Sequence, residues 1–337
     1  ALAGPAAAQL PDVKHLIFEP DGAMLRLPLD LLVTDAASVA RYKARTVDAN
    51  ADQFDFTGTK WLGRTTKVST AVAARAFRDV RGVPQSAATA QYLGFGQNAP
   101  VGGLIRASST RALSGSGAVD CNWPVTEWSK PISAAELRVA SASAGGSGNT
   151  VVTDADFTDT AVKSRADLAN FRILHFATHG LVTAPRPECP ARPALLTSFA
   201  GAGSDGLLDF GEIYALKIDA DLVILSACDT AGTATVAATR AAGISSGGGN
   251  ALDGLVRAFI GAGGRSVLAS HWPAPDDFNA TERLISGLFK AGSAATVGEA
   301  LMGAQAALMD EAATSHPYYW AGFAVVGDGA QRLLSAR

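Results

Sequence analysis

The chain has 337 residues, of which 48% are hydrophobic and 18% charged, enough apolar material for one large domain or two modest ones. The 28 Lys and Arg residues against 31 Asp and Glu give a formal net charge of -3, so no overall basic field favours nucleic acid or an anionic membrane. No apolar run reaches the roughly 18 residues that a membrane span needs.

The three cysteines, Cys121, Cys189 and Cys228, have no metal-type spacing and cannot all pair with one another. A disulfide scaffold and a zinc site are both poorly supported, although a Cys121–Cys189 bridge stays open. We expect a cytoplasmic protein.

The first 90 residues are predicted to form an amino-terminal subdomain. Lys14–Phe18 is typical of a strand, Glu19–Gly22 of a tight turn, and Ala23–Leu27 of the return strand of a hairpin. A further strand is predicted over Trp61–Val68, followed by an Ala-rich helix. We expect this subdomain to pack on the main sheet.

From residue 91 the pattern becomes that of an α/β core. Tyr92–Gly96 predicts its first strand, and residues 97–131, rich in Gly, Ser and Pro, predict a long surface excursion. Ser133 and Glu136 match a capping box that opens a short helix. The later predicted elements are a strand at 151–152, a helix near 158–169, strands ending at His179 and Cys228, a helix over 252–260, a strand over 266–270, helices over 284–289 and 296–308, and a closing strand at 322–326. Alternating strands and helices favour a mainly parallel sheet.

Two buried strands end in reactive residues. The runs Phe171–Gly180 and Asp221–Thr230 are rich in branched and aromatic residues until His179 and Cys228, respectively, where small residues follow. If the strands are parallel neighbours, they deliver an imidazole and a thiol to the same carboxyl-end edge of the sheet. A cysteine hydrolase needs this arrangement.

An imidazole and a thiol together can carry out nucleophilic catalysis. A thiol has a reference pKa of about 8.5, so a histidine is needed to stabilise the thiolate at neutral pH and to protonate the leaving amine. The backbone N–H groups of Gly180 and Cys228 are candidates for an oxyanion hole. Taken singly, each residue also fits a structural role, the thiol as core packing and the imidazole as a local hydrogen-bonding group. The interval of 49 residues between His179 and Cys228 agrees with the caspase pattern.

Longer stretches carry a family resemblance. Ile173–Gly180, Leu222–Thr230 and Ser270–Pro273 resemble the CHAT family, which comprises caspase-like and separase-like cysteine proteases of clan CD, frequently joined to TPR repeats. Leu16–Leu31 resembles the amino-terminal hairpin of that family, and Trp320–Gly327 resembles its last strand.

The resemblance implies a caspase-like three-layer sandwich with a mainly parallel central sheet flanked by helices. It divides the chain into an amino-terminal β-hairpin subdomain, 1–90, and a caspase-like catalytic core, 91–337. It also implies that His179 is the general acid/base and Cys228 the nucleophile, with no metal or organic cofactor. The implied partners are a protein or peptide substrate and a missing upstream domain or regulatory partner such as TPR repeats, with neither nucleic acid nor membrane bound directly.

Substrate preference has its own candidates. Ser226–Thr230 differs from the caspase sequence Gln-Ala-Cys-Arg-Gly, so cleavage after aspartate is not carried over. Asp276 and Asp277 follow Trp272–Pro275, where related sequences resemble Trp-x-Val-x-Asp and an acidic residue accompanies a basic residue before the scissile bond. We therefore expect a preference for Lys or Arg. The structural alternative is that either Asp caps the helix near 278–290.

Other residues are expected to line the substrate groove. Ser226 lies two residues before Cys228 and points to the same side, so it is a candidate for the pocket wall. Ser270 and His271 are candidates to pair with an extended substrate through their backbone, the strand-addition mode of peptide recognition. Trp272 either forms an apolar wall of the groove or seals the core.

Several sequence motifs lack the neighbouring elements that their usual function requires. Gly201–Gly206 fits G-x-G-x-x-G but lacks the strand–turn–helix of a dinucleotide site, and Gly243–Gly247 fits G-x-S-x-G but follows a polar loop. His175 and His179 are about 13 Å apart on a strand, too far to share a metal, so His175 is interpreted as a satisfied buried histidine.

One glycine-rich segment is a candidate for regulation. The glycine-rich segment 229–250 contains Arg240 and is a candidate for cleavage or rearrangement during activation.

The leading function is a cysteine endopeptidase, and the alternative is a catalytically silent, caspase-like signalling or scaffold module that binds peptides.

Overall fold

The structure is a computed structural model. It describes residues 4, 8–20, 24, 27–101, 121–181, 187–189, 192–201, 203–228, 251–272, 274–275 and 277–334, without the side chains of 11, 228 and 251–253. The predicted activation segment 229–250, with Arg240, therefore lies outside the described residues, as does Asp276.

The strands of the described chain belong to one connected sheet system. They are β1 (His15–Phe18), β2 (Lys67–Thr70), β3 (Ala90–Asn98), β4 (Thr150–Asp154), β5 (Phe171–Leu181), β6 (Ala194–Leu196), β7 (Leu207–Asp209), β8 (Leu222–Cys228), β9 (Ser266–Ser270) and β10 (Phe323–Gly327). Eight of them follow the order β1-β2-β10-β9-β8-β5-β3-β4, while β6 pairs with β5 and β7. Within the order of eight, the β9–β10 pair is antiparallel and the others are parallel. The predicted mainly parallel sheet is confirmed.

Helices cover both faces of the sheet. They are α1 (Ala36–Thr46), α2 (Ala74–Arg81), α3 (Ala135–Ser143), α4 (Asp159–Ser164), α5 (Phe210–Tyr214), α6 (Ala251–Gly261), α7 (Ala280–Lys290) and α8 (Val297–Met309). One core cluster joins the sheet to α4, α5 and α6, and the other joins it to α3, α7 and α8. Neighbouring strand residues such as Ile173 and Leu174 divide between the two clusters because successive side chains point to opposite faces. The three-layer architecture is confirmed.

The amino-terminal strand has a different partner from the one expected. β1 pairs in parallel with β2, in the register His15 to Lys67. Of the predicted return strand, residues 23, 25 and 26 lie outside the description, and the Leu27 amide donates to the Met24 carbonyl at 3.1 Å, as in a turn. Since β1 and β2 extend the sheet beyond β10, the predicted closing strand is an interior strand.

One predicted capping box is present and the other is not. Thr296 and Glu299 exchange both side-chain-to-backbone hydrogen bonds at the start of α8. At α3 the cap position is Ala134, without a side-chain cap bond, and the Ser133 hydroxyl accepts only from the Ala135 amide, at 3.2 Å. The prediction for α3 is wrong in this detail because the Glu136 side chain has buried partners elsewhere.

Cys121 and Cys189 form a disulfide, with an S–S distance of 2.07 Å and a Cα–Cα distance of 5.5 Å. The bridge joins the described end of the predicted surface excursion to the loop after β5. Because disulfides are typical of oxidising compartments, this one does not favour the predicted cytoplasmic location. Among the helices described, none is both long and apolar enough to cross a membrane.

Candidate active site

The two reactive strand ends are adjacent. β5 and β8 are parallel neighbours, and their Cα register pairs Ala177 with Ser226 and His179 with Cys228. The prediction that these strands are parallel neighbours is confirmed. Both reactive residues lie at the carboxyl end of their strands, the edge at which open α/β sheets place their ligands.

The imidazole of His179 is oriented by a backbone group. Its Nε2 atom lies 2.6 Å from the carbonyl oxygen of Lys130. A carbonyl oxygen only accepts hydrogen bonds, so this contact assigns the ring proton to Nε2. In the neutral ring, Nδ1 is then the basic nitrogen, which is the form that a general base requires.

The segment that carries Lys130 is itself anchored. It follows a short 3-10 helix, Val125–Ser129, whose Trp128 is 2% exposed. The Trp128 indole donates to the Thr197 carbonyl at 2.8 Å, and the Asn98 amide donates to the Trp128 carbonyl at 3.0 Å. A buried aromatic anchor thereby fixes the backbone that holds His179.

A cleft of about 640 Å³ opens beside His179. Two carboxylates, Glu136 from α3 and Glu282 from α7, belong to its wall, as does Ser226 of β8, which is 4% exposed. Its described lining also includes Lys130, Pro131, Ile132, Ser133, Ala135, Ala274, Pro275, Asn279 and Thr281.

Glu136 is held by a chain of buried polar side chains. Its Oε2 accepts a 3.0 Å hydrogen bond from the Ser226 hydroxyl, and its Oε1 lies 2.8 Å from His175 Nε2. On the other side of the ring, His175 Nδ1 is 2.8 Å from the Tyr92 hydroxyl. Tyr92 and His175 are both fully buried, and Glu136 is 9% exposed. Burial, reinforced by the nearby carboxylate of Glu136, raises the pKa of Tyr92 well above its usual value.

Residues 1–328 match the family model described as the CHAT domain. The chain belongs to the CHAT domain family.

Solved structures similar to this CHAT chain include two kinds of protease. It is 11% identical to Saccharomyces cerevisiae separase in its securin complex, with a TM-score of 0.43, over 78% of this chain and 14% of that one. It is also 11% identical to the Arg-specific cysteine proteinase gingipain R, with a TM-score of 0.47, over 95% of this chain and 64% of that one. For the pro- and mature domains of Porphyromonas gingivalis RgpB the identity is 11%, the TM-score 0.48 and the coverage 95% and 65%. The chain thus spans less than two thirds of each protein. No match was found among curated protein sequences.

Around the cleft of the CHAT chain, some of the groups expected to pair with a substrate strand already have hydrogen-bond partners within the protein. Ser270 is fully buried, pairs with Phe323 of β10 and donates its hydroxyl to the Ala227 carbonyl at 2.9 Å. The His271 amide donates to the Gly322 carbonyl at 2.7 Å. That amide is therefore not free to pair with a substrate strand, because an internal partner already holds it.

His271 and Trp272 are otherwise placed as structural side chains. Burial lowers the pKa of His271 to about 4, so its ring is neutral at pH 7. The Trp272 indole donates to the Tyr318 carbonyl at 3.0 Å, and its ring packs against the core cluster on the α7 and α8 face. Gly180 continues β5 and pairs with Leu195 of β6 in the antiparallel sense.

Of the two acidic candidates, Asp276 lies outside the described residues, and Asp277 is not among the described residues that line the cleft. Asp277 is exposed in a short 3-10 turn, Asp277–Asn279. The alternative that it caps α7 is wrong, because the cap position belongs to Asn279, which has φ 51° and makes no side-chain cap bond.

Three functional candidates were missed by sequence reasoning. Lys130 acts through its backbone, which no side-chain motif reveals. Glu282 lies in the first turn of α7 and resembles any acidic residue at a helix start. Glu136 did give a signal, the capping-box spacing, but the structure places its carboxylate against Ser226 and His175 instead. The expectation that His175 is a buried histidine is confirmed, and its Nδ1 is paired with Tyr92, whereas its Nε2 lies close to Glu136 Oε1 without the geometry of a hydrogen bond.

Proposed function

We propose that this CHAT domain is a cysteine-type endopeptidase in which His179 and Cys228 form the catalytic pair. The observation that supports it most is the register of β5 with β8, which pairs the backbones of these two residues at one sheet edge. The contact from His179 Nε2 to Lys130 adds to it, because it leaves Nδ1 as the base.

The proposed reaction is acyl transfer to the thiol. His179 Nδ1 removes the thiol proton, and the thiolate of Cys228 attacks the peptide carbonyl. Backbone N–H groups of Gly180 and Cys228 stabilise the oxyanion. His179 then protonates the leaving amine, and water releases the acyl-enzyme with His179 acting again as base.

The proposed substrate is a protein or peptide cut after Lys or Arg. We keep the division into a subdomain at 1–90 and a catalytic core at 91–337, although β1 and β2 belong to the same sheet as the core. An upstream domain or regulatory partner, with TPR repeats as the candidate, is proposed to control access to the cleft.

The experiment that tests the function is covalent labelling with a peptide acyl-warhead probe. Modification should map to Cys228 and disappear in His179→Ala. His15→Ala is the matched control, because His15 lies in β1 at the far edge of the sheet and should leave labelling intact. A Cys228 thiol that stays unreactive while the protein binds peptide would favour the scaffold function instead.

A further inference from the structure

The polar chain Tyr92–His175–Glu136–Ser226 ends at the cleft wall with a carboxylate. The Tyr92 hydroxyl lies 2.8 Å from His175 Nδ1, and His175 Nε2 lies 2.8 Å from Glu136 Oε1, while the Ser226 hydroxyl donates to Glu136 Oε2. The serine hydroxyl and the buried imidazole fix the position of the carboxylate. The chain therefore delivers an oriented acceptor to the cleft.

The carboxylate belongs to the cleft that His179 lines. Glu136 and His179 line the same cleft, and the hydroxyl that binds Glu136 belongs to Ser226, two residues before Cys228 in β8. The side chain of the substrate residue whose carbonyl is attacked must lie close to Cys228. It is thus the substrate side chain nearest to Glu136.

The chemistry of the wall favours a long cationic side chain. Ala135, Ala274 and Pro275 offer apolar surface along which the stem of Lys or Arg can pack, while the charged end meets a carboxylate. A neutral or acidic side chain would bury Glu136 without a counter-charge, which is strongly unfavourable. The opposing wall carries a second carboxylate, Glu282, which is half-buried and more strongly screened by solvent.

We propose that Glu136 selects a cationic side chain, arginine or lysine, immediately before the bond to be cut, with Tyr92 and His175 as its positioning residues. This inference rests on the proposed peptidase function for its meaning in catalysis. It moves the specificity determinant from the segment after Trp272 to the first turn of α3. The carboxylate belongs to a helix and is bound by Ser226 of β8, so its position does not depend on a surface loop.

The test compares peptides that differ only in charge. Fluorogenic peptides with arginine or its neutral isostere citrulline before the cut bond are assayed with wild type, Glu136→Gln, Glu282→Gln and Glu19→Gln. The wild type should favour arginine, and Glu136→Gln should lower the arginine-to-citrulline ratio of kcat/KM by about 30-fold or more, as for one member of a buried charge pair. Glu282→Gln should lower it by about threefold. Glu19 is exposed and follows β1 at the far edge of the sheet, so Glu19→Gln should leave the ratio unchanged.

A binding experiment separates this inference from the function. Cys228→Ala and the double variant with Glu136→Gln are titrated with the same two peptides by fluorescence anisotropy. Arginine selectivity that is lost in the double variant, without turnover in wild type, would reject the peptidase and keep the role of Glu136. Cleavage without arginine preference, or a ratio indifferent to Glu136→Gln, would overturn the inference and keep the peptidase. Glu136→Asp serves where Glu136→Gln does not fold, and should retain selectivity in reduced measure because it keeps the charge.

Discussion

The Nε2 atom of His179 lies 2.6 Å from the carbonyl oxygen of Lys130, a residue 49 positions earlier in the chain. The proposed base is thus oriented by backbone from a different segment, which reaches it through the turn anchored by Trp128. Any change that loosens this segment should act on the chemistry of Cys228 without touching either residue of the proposed catalytic pair.

Trp128→Phe tests this dependence. The change removes the indole donor and leaves the buried Thr197 carbonyl without it, which should lower the free energy of unfolding by about 1–3 kcal/mol. If Lys130 shifts, the pH profile of Cys228 alkylation should move to higher pH, because the imidazole then stabilises the thiolate less well. The profile is measured in the folded protein with a small neutral alkylating agent.

The matched control for that prediction is Trp123→Phe, since Trp123 is only partly buried against the same cluster. It should leave the alkylation profile unchanged. A purely structural role for Trp128 would lower the stability of Trp128→Phe but leave its alkylation profile on that of wild type.

Asp30 should make stability fall as the pH rises. Burial raises the pKa of this carboxyl from 3.8 to about 7, although a 2.8 Å hydrogen bond from Gln305 partly opposes the shift. Between those values the folded state holds a proton that the unfolded state has lost. The contribution to the free energy of unfolding therefore falls by about 4 kcal/mol from pH 4 to pH 7 and is constant above.

Asp30→Asn should remove this slope, so that the variant gains stability relative to wild type as the pH rises from 4 to 7. Urea unfolding at pH 4.5, 6 and 8 measures the difference between the two proteins. Asp12→Asn, at an exposed carboxylate, is the control and should follow wild type. Parallel pH profiles for Asp30→Asn and wild type would contradict the prediction.

The disulfide gives a prediction about both stability and thiol count. Three cysteines with one bridge leave one thiol, so the unreduced, unfolded protein should take up a single alkyl group, at Cys228. Replacing Cys121 and Cys189 together by Ala should lower the free energy of unfolding by about 2–4 kcal/mol, since the bridge restricts the unfolded chain. Reductant should destabilise wild type by a similar amount and leave the double variant unaffected. Two or more alkyl groups per unreduced chain would contradict the bridge.

Much of the fold follows from local sequence pattern. The buried runs before His179 and Cys228, the strand Ser266–Ser270 and the capping box at Thr296 each depend on residues close together in the chain. The order of the strands does not, because β1 and β2 join the sheet beyond β10 through contacts distant in sequence. A turn pattern identifies a turn but not the partner of the strand before it. The sequence therefore predicts an amino-terminal hairpin, although the first strand pairs elsewhere.

The same distinction between local sequence pattern and distant contacts holds for the chemistry of the site. By itself the sequence determined the reactive residue types, His179 and Cys228, since strand periodicity and the small residues after each run are local properties. Tertiary structure alone decided that Lys130 orients His179 and that Glu136 reaches the cleft. Backbone carbonyls leave no mark on sequence pattern, and a Glu three residues after a Ser has the same spacing whether it caps a helix or contacts a buried histidine. Only the packing of α3 on the sheet distinguishes the two.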